Sequence, residues 1–357
     1  MIPDVAAALV GIFLVVVALR DVFQAVVVPR AMNRRLRVSA LTTTLLWKLW
    51  PTLAYRLYRD ADAREDFFAV FAPFSMIVLL VTWVTILIVG YGLVFYSIRT
   101  QLQPQPVSFG TAVYYAGSSL LTIGYGDVVA RTGWGRFVSL AAGASGLGVV
   151  AVVTSYLFAV FGAFRQREAF VVTTGSRAGT PPSGIGLLET HATGEMRADL
   201  PLVFRDGQRW AADVMESHLA YPVLGYFRSS HDYESWVATL GTVLDASVLM
   251  ISTVDGTTAG QARIMYDVGR HCALDLAKYY GLAAEPSVGI ERPEFETACD
   301  RLTKAGFRLR DRDRAWTEFA RLRSAYAGQL NSMARRMEIP PVQWVGDRSI
   351  IRVHRQS

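Results

Sequence analysis

Two cysteines, Cys272 and Cys299, are too few in 357 residues for a disulfide framework. The five histidines, His191, His218, His231, His271 and His354, show no metal-ligand spacing, and no nucleophile or zinc motif appears. The chain is therefore expected to be no enzyme and to carry no cofactor. Strand-like alternation is scarce. A basic bias is missing from the second half: residues 166–357 hold 23 basic and 23 acidic residues, whereas residues 1–165 hold 13 and 7. The net charge of +6 thus belongs to the first half, and nucleic acid is not expected as a partner. Charge of either sign is absent from residues 67–98 and from residues 137–164.

Those uncharged stretches are what the chain has in quantity. The composition is 52% hydrophobic, and a helix needs roughly 20 apolar residues to cross a hydrocarbon core. Two membrane helices are predicted, 67–98 and 136–165. Residues 5–28 predict a third, interrupted by Arg20 and Asp21. It opens Met-Ile-Pro-Asp without the positive charge of a signal peptide, and no small-residue cleavage pattern follows, so it reads as a retained helix. Arg20 and Asp21 are either a functional intramembrane pair or a snorkelling arginine beside a locally satisfied aspartate. Arg30, Arg34, Arg35 and Arg37 follow this helix with no acid among them, and cytoplasmic loops carry such an excess. The amino terminus is then expected outside, residues 30–66 in the cytoplasm, the 99–107 loop outside and the carboxyl terminus in the cytoplasm of a multi-pass protein of the cell (plasma) membrane.

Between the two uncharged helices lies Thr122-Ile123-Gly124-Tyr125-Gly126-Asp127. Non-helical backbone at membrane depth survives only where protein buries it or it lines a watery path. A dehydrated cation needs stacked oxygens, and successive carbonyls can supply them if the backbone alternates between ordinary and left-handed conformation. Glycine takes the left-handed form at little cost, which suits Gly124 and Gly126 on either side of Tyr125. The stretch resembles the selectivity filter of potassium channels, a bacterial-type pore domain of two helices and a pore loop, here with an extra amino-terminal membrane helix. The resemblance covers residues 67–165 and implies an outer helix 67–98, a pore helix 109–120 capped by Ser108, the filter 122–127 and an inner helix 136–165. It implies K+ bound through Thr122, Ile123, Gly124 and Tyr125, an aromatic cuff at Tyr114 and Tyr115 with Tyr115 bonded to Asp127, and Ser118 where some members carry an acid. Gly146 falls at the family's gating hinge, although the small residues 141–148 suit close helix packing equally. Phe158 and Phe161 either narrow an inner gate by dewetting or face lipid or another helix. Four loops must surround an ion, so three identical subunits and the lipid bilayer are expected partners. The first helix lacks the spaced arginines of a voltage sensor.

The remaining segments are read from pattern. Residues 1–30 form the extra helix and 31–66 a connector. In the connector, Leu41, Leu45, Leu49, Leu53 and Leu57 recur every fourth residue. That helix lies in the membrane interface, like the slide helix of some potassium channels, or packs on the cytoplasmic domain, with Pro51 kinking or dividing it. Tyr91 and Tyr96 suit an outer aromatic belt. Residues 166–186 read as a linker, and 187–357 as an all-α cytoplasmic domain with candidate caps at Ser229 and Thr257. Gly184-Ile185-Gly186 is a poor nucleotide-binding fingerprint, with no strand before it and no third glycine. The expected function is passive K+ conduction through a homotetramer, gated by an unknown cytoplasmic ligand or protein. The alternatives are a weakly selective cation channel and a membrane-anchored sensor with a vestigial pore loop.

Overall fold

The computed structural model describes residues 2–26, 37–179, 182–230, 234–256, 259–284 and 290–339. Arg30, Arg34, Arg35, His231, Thr257 and His354 lie outside these. The described residues are predominantly helical and divide into two compact units, Met1–Phe161 and Gly162–Ser357.

The first unit contains α1 (Ile2–Val26), α2 (Val38–Leu57), α3 (Ala61–Ser97), α4 (Phe109–Leu120) and the first part of α5 (Gly133–Ala178). Helices α1, α3 and α5 are each long and apolar enough to cross a membrane. Helix α1 runs antiparallel to α3. Arg99 pairs with Asp4 at 2.5 Å, Gly11 meets Gly90, and Trp83 reaches Asp21. A Cβ on Gly11 would stand 2.5 Å from the Gly90 carbonyl oxygen, so the two helices touch backbone to backbone there.

Asp21 is the joint of this unit. It is buried, while Arg20 is exposed. Its carboxylate accepts the Trp83 indole N–H at 2.7 Å, the Ser39 backbone N–H at 2.9 Å and the Ser39 hydroxyl at 3.2 Å, with Arg37 4.0 Å away. The N-cap residue of α2, Arg37, makes no side-chain cap. Asp21 supplies one from another helix, where an anion also meets the positive end of the helix dipole. The partners of Asp21 are therefore on α2 and α3, not the adjacent Arg20.

Helix α2 runs antiparallel to the first half of α3, since Ser39 shares Asp21 with Trp83 while Trp50 donates to the Phe67 carbonyl at 3.1 Å. Trp47 and Trp50 bury against Phe67, Phe68, Phe71 and Phe74, and the five leucines face away, exposed. Pro51 does not divide the helix, which continues to Leu57; the tryptophan contacts on α3 flank the turn where the proline removes a hydrogen bond. Helix α3 begins before residue 67, at Ala61, with Asp60 accepting from the Ala63 N–H at 3.0 Å. Its charged first turns end the apolar stretch but not the helix. Tyr91 is buried rather than in an outer belt, and its hydroxyl bonds Ser145 at 2.8 Å and the Ala141 carbonyl at 3.2 Å.

Helix α5 continues through most of the expected linker 166–186 to Ala178. Gly175 lies inside it, and a Cβ there would stand 2.0 Å from the Glu234 carboxylate. Gly175 marks close packing at this point, not slack chain. The second unit adds α6 (Gly184–Thr193), α7 (Leu200–Ala220), α8 (Trp236–Ser252), α9 (Ala259–Tyr279), α10 (Arg292–Lys304), α11 (Arg312–Ser324) and α12 (Ala327–Arg336). Helix α8 is buried nearly all round and forms the centre, with Trp236, Leu240, Val243, Leu244 and Val248 in the core. Ser235, not Ser229, caps α8 by accepting from Ala238; the Ser229 hydroxyl donates to Glu168. Gly184 begins α6 and approaches the Ala246 backbone so closely that a Cβ would lie 2.6 Å from its nitrogen. Packing thus accounts for the weak glycine fingerprint. Trp316 and Phe319 belong to α11, and Leu330 and Met333 to α12, with Tyr326 at the break between them.

Arg167, on the part of α5 within this unit, is buried. Its guanidinium donates to the Leu224 carbonyl at 2.8 Å and the Phe227 carbonyl at 3.0 Å, and pairs with Glu168 at 2.9 Å. Fully buried His218 faces it, Nε2 3.3 Å from Arg167 and Nδ1 2.8 Å from the Val214 carbonyl. A carbonyl only accepts, so Nδ1 carries the proton and bare Nε2 meets the guanidinium. Burial, then the charge of Arg167, pushes His218 well below its usual pKa.

Candidate functional site

The site is built on α4. Its N-terminus is fixed by Ser108, whose hydroxyl accepts from the Thr111 N–H at 3.2 Å. The helix dipole then directs its negative end at the loop that follows. At that end the chain folds back on the last turn. Leu121 N–H bonds the Gly117 carbonyl at 2.9 Å, Thr122 N–H bonds Ser119 at 3.2 Å, and Ile123 and Gly124 bond the Ser118 carbonyl at 2.9 and 3.4 Å. Ser118, singled out for its side chain, is buried and anchors the loop with its backbone.

From there the backbone alternates. Thr122, Gly124 and Gly126 have φ of 56°, 62° and 82°, while Ile123 and Tyr125 are not left-handed. Alternation of hand turns successive peptide groups to one side, and glycine takes the left-handed form without a Cβ penalty. Thr122 has no such freedom. Its left-handed conformation is strained for a β-branched residue and persists because four hydrogen bonds from residues 121–124 to the end of α4 hold it. A Cβ built on Gly124 or Gly126 meets nothing within 4 Å, so their requirement is conformational rather than steric.

The two tyrosines of the expected cuff divide the work. Tyr114 stacks on Tyr125, centroids 6.2 Å apart at 7°. Tyr115 does not reach Asp127. It is buried, packs edge-on against Phe95 at 4.7 Å and bonds the Ser139 hydroxyl of α5 at 2.8 Å. Neither Ser139 nor the Tyr91–Ser145 contact carries a motif, and both are visible only once the helices are assembled. Beyond the loop, Leu102 and Gln103 (β1) pair antiparallel with Val129 and Ala130 (β2), closing the segment that begins at the end of α3.

Helix α5 backs the site through its small residues. A Cβ on Gly143 would lie 3.4 Å from the Ser119 carbonyl oxygen, and one on Gly146 only 1.8 Å from that of Leu120. Gly146 is thus explained by close approach of α5 to the end of α4, and the helix passes through it unbroken. Phe158 and Phe161 are exposed on the single chain and are not brought to the loop.

Residues 83–163 match the ion channel family model. The matched segment takes in the last part of α3, α4, the loop and the first part of α5; it leaves out α1, α2 and the helices from α6 onward. The chain is also similar to an uncharacterized membrane protein, YdjJ, of Bacillus subtilis (strain 168), at 21% identity over 178 residues, 49% of this chain and 51% of that protein. The chain spans about half the length of this curated relative. No solved structure matches. With its three apolar helices, the chain is a multi-pass membrane protein with a segment that matches the ion channel family model.

Proposed function

We propose that this protein is a subunit of a potassium-selective channel in the cell membrane, and that four copies surround one pore. The observation that carries this reading is the alternating hand of the backbone at Thr122, Gly124 and Gly126, within the segment that matches the ion channel family. The carbonyls of Thr122, Ile123, Gly124 and Tyr125, with the Thr122 hydroxyl at the inner end, replace the water of a K+ ion. One chain supplies one side of such a cage. Ile123 and Tyr125 are exposed in the single chain, leaving apolar side chains for neighbouring copies to cover. Tyr114, stacked on Tyr125, holds the outer end of the filter. Tyr115 ties α4 to α5 behind it. Phe158 and Phe161, on an exposed face of α5, line the inner mouth.

Ion flux into liposomes containing the purified protein tests the proposal. K+ should enter in strong preference to Na+, and Gly124→Ala should abolish flux while the oligomer persists, because alanine resists the left-handed backbone. Equal Na+ and K+ flux would indicate a weakly selective pore, and no flux at all a membrane-anchored sensor. A cysteine at position 103 should react from outside and one at position 35 from inside; the reverse would invert the topology.

A further inference from the structure

The helical unit neutralises many of its arginines. Arg301 pairs with Glu189, Arg323 with Asp245, and Arg292 and Arg312 share Glu296. One concavity differs. Its floor is a face of α9 carrying Arg263, Tyr266, Asp267 and Arg270, and its wall is the end of α11 with Arg321 and Leu322. The volume is about 300 Å³, at the lower end of small-ligand sites.

The geometry gathers cations here. Positions i, i+3, i+4 and i+7 place the four α9 residues on one face. Tyr266 is buried and turned away from solvent, its hydroxyl donating to the Leu322 carbonyl at 3.1 Å, so it closes the floor. Burial pushes its pKa up, Arg270 and Arg321 pull it down, Asp267 raises it and Arg263 lowers it. Glu318 grips Arg321 through both Nε and Nη2, at 2.8 and 2.7 Å, fixing the fork and leaving Nη1 for another acceptor. Among the described residues, no carboxylate forms an ion pair with Arg263 or Arg270, although Asp267 is one turn from each. Asp267 is the one carboxylate in a lining with three guanidiniums.

We propose that this concavity binds a small phosphate-bearing anion, with Arg263 and Arg270 as its principal ligands and Arg321 as a pre-oriented third. Planar guanidiniums match phosphate oxygens two at a time, and an anion gives Arg263 and Arg270 the partner that Glu318 already gives Arg321. Asp267 opposes the anion's charge and offers an acceptor to a hydroxyl beside the phosphate. The inference does not depend on ion conduction.

The test uses the full-length protein in detergent, titrated with inorganic pyrophosphate, with ATP and with dioctanoyl phosphatidylglycerol, a water-soluble lipid, while its unfolding temperature is followed. At least one probe should shift the unfolding temperature saturably. Arg263→Ala and Arg270→Ala should each weaken that probe by about tenfold or more, the loss expected for one charge-assisted hydrogen bond. Asp267→Asn should tighten it. A response to pyrophosphate or ATP identifies a soluble ligand, and a response to the lipid alone identifies a headgroup. The proposal is overturned if no probe gives a saturable shift, if both arginine variants bind as tightly as the parent, or if Asp267→Asn binds more weakly.

Discussion

Replacing Gly146 with alanine tests the framework of the site through a reversal of sign. In an ordinary helix interior the change is favourable, because glycine costs about 1 kcal/mol relative to alanine. Here the new methyl would stand 1.8 Å from the Leu120 carbonyl oxygen, where real Cβ atoms essentially never come within 3.0 Å. Helix α5 and the end of α4 must separate by about 1.2 Å along that line. Both contacting groups are backbone, so no side-chain rotation relieves the clash. Overpacking of this kind costs typically about 1–3 kcal/mol, which outweighs the intrinsic gain. Gly148, two residues on in the same helix, is the control, since a Cβ there meets nothing within 4 Å. Gly148→Ala should keep the stabilisation of up to about 1 kcal/mol that Gly146→Ala loses.

The assay is thermal unfolding of both variants in one detergent, followed by K+ and Na+ flux in liposomes. Gly146→Ala should unfold at a lower temperature than the parent and Gly148→Ala at the same or a higher one. Leu120 lies two residues before the left-handed Thr122, so the displacement should also degrade K+ preference in Gly146→Ala. A Gly146→Ala protein as stable and as selective as the parent would refute the close approach.

Three further outcomes are expected. Asp21→Ala strands the Trp83 indole N–H and the Ser39 backbone N–H, at about 1–3 kcal/mol for each buried donor, whereas Arg20→Ala at an exposed position should stay within about 0.5 kcal/mol of the parent; comparing their unfolding temperatures checks this. Tyr114→Ala removes the ring stacked on Tyr125 and should alter how long single channels remain conducting, while Tyr115→Phe, which loses Ser139, should lower thermal stability with less effect on conduction. His218 is held neutral in the fold but takes a proton once unfolded, so its contribution to stability is fully present above about pH 6.5 and falls by about 1.4 kcal/mol per pH unit below it; His218→Gln should flatten the acid limb of unfolding temperature against pH.

What the sequence made legible follows from how local each signal is. The cap at Ser108, the helix after it and the left-handed glycines at 124 and 126 depend on neighbours in the chain, and residue type alone points to them. The membrane-crossing parts of α3 and α5 were legible because charge is excluded from hydrocarbon. Their ends were not, since Asp60 and the charged turns of α3 continue a helix in a medium that composition does not distinguish from a loop. Gly175 and Gly184 misled for the same reason. A glycine looks alike in sequence whether it frees the backbone or admits a neighbour, and here it admits the Glu234 carboxylate at Gly175 and the Ala246 backbone at Gly184.

The least legible feature was Asp21, because its meaning is distributed over the chain. It caps a helix that starts 17 residues later and anchors an indole 62 residues away. An aspartate next to an arginine invites a local ion pair, and physics rejects it here because Arg20 faces outward from the same helix while two buried N–H donors need an acceptor. A buried charge is tolerated only where such donors surround it. In α1 the carboxylate therefore fixes where α2 starts against α3. That makes it a determinant of the first unit's assembly, even though it stands outside the segment that matches the ion channel family.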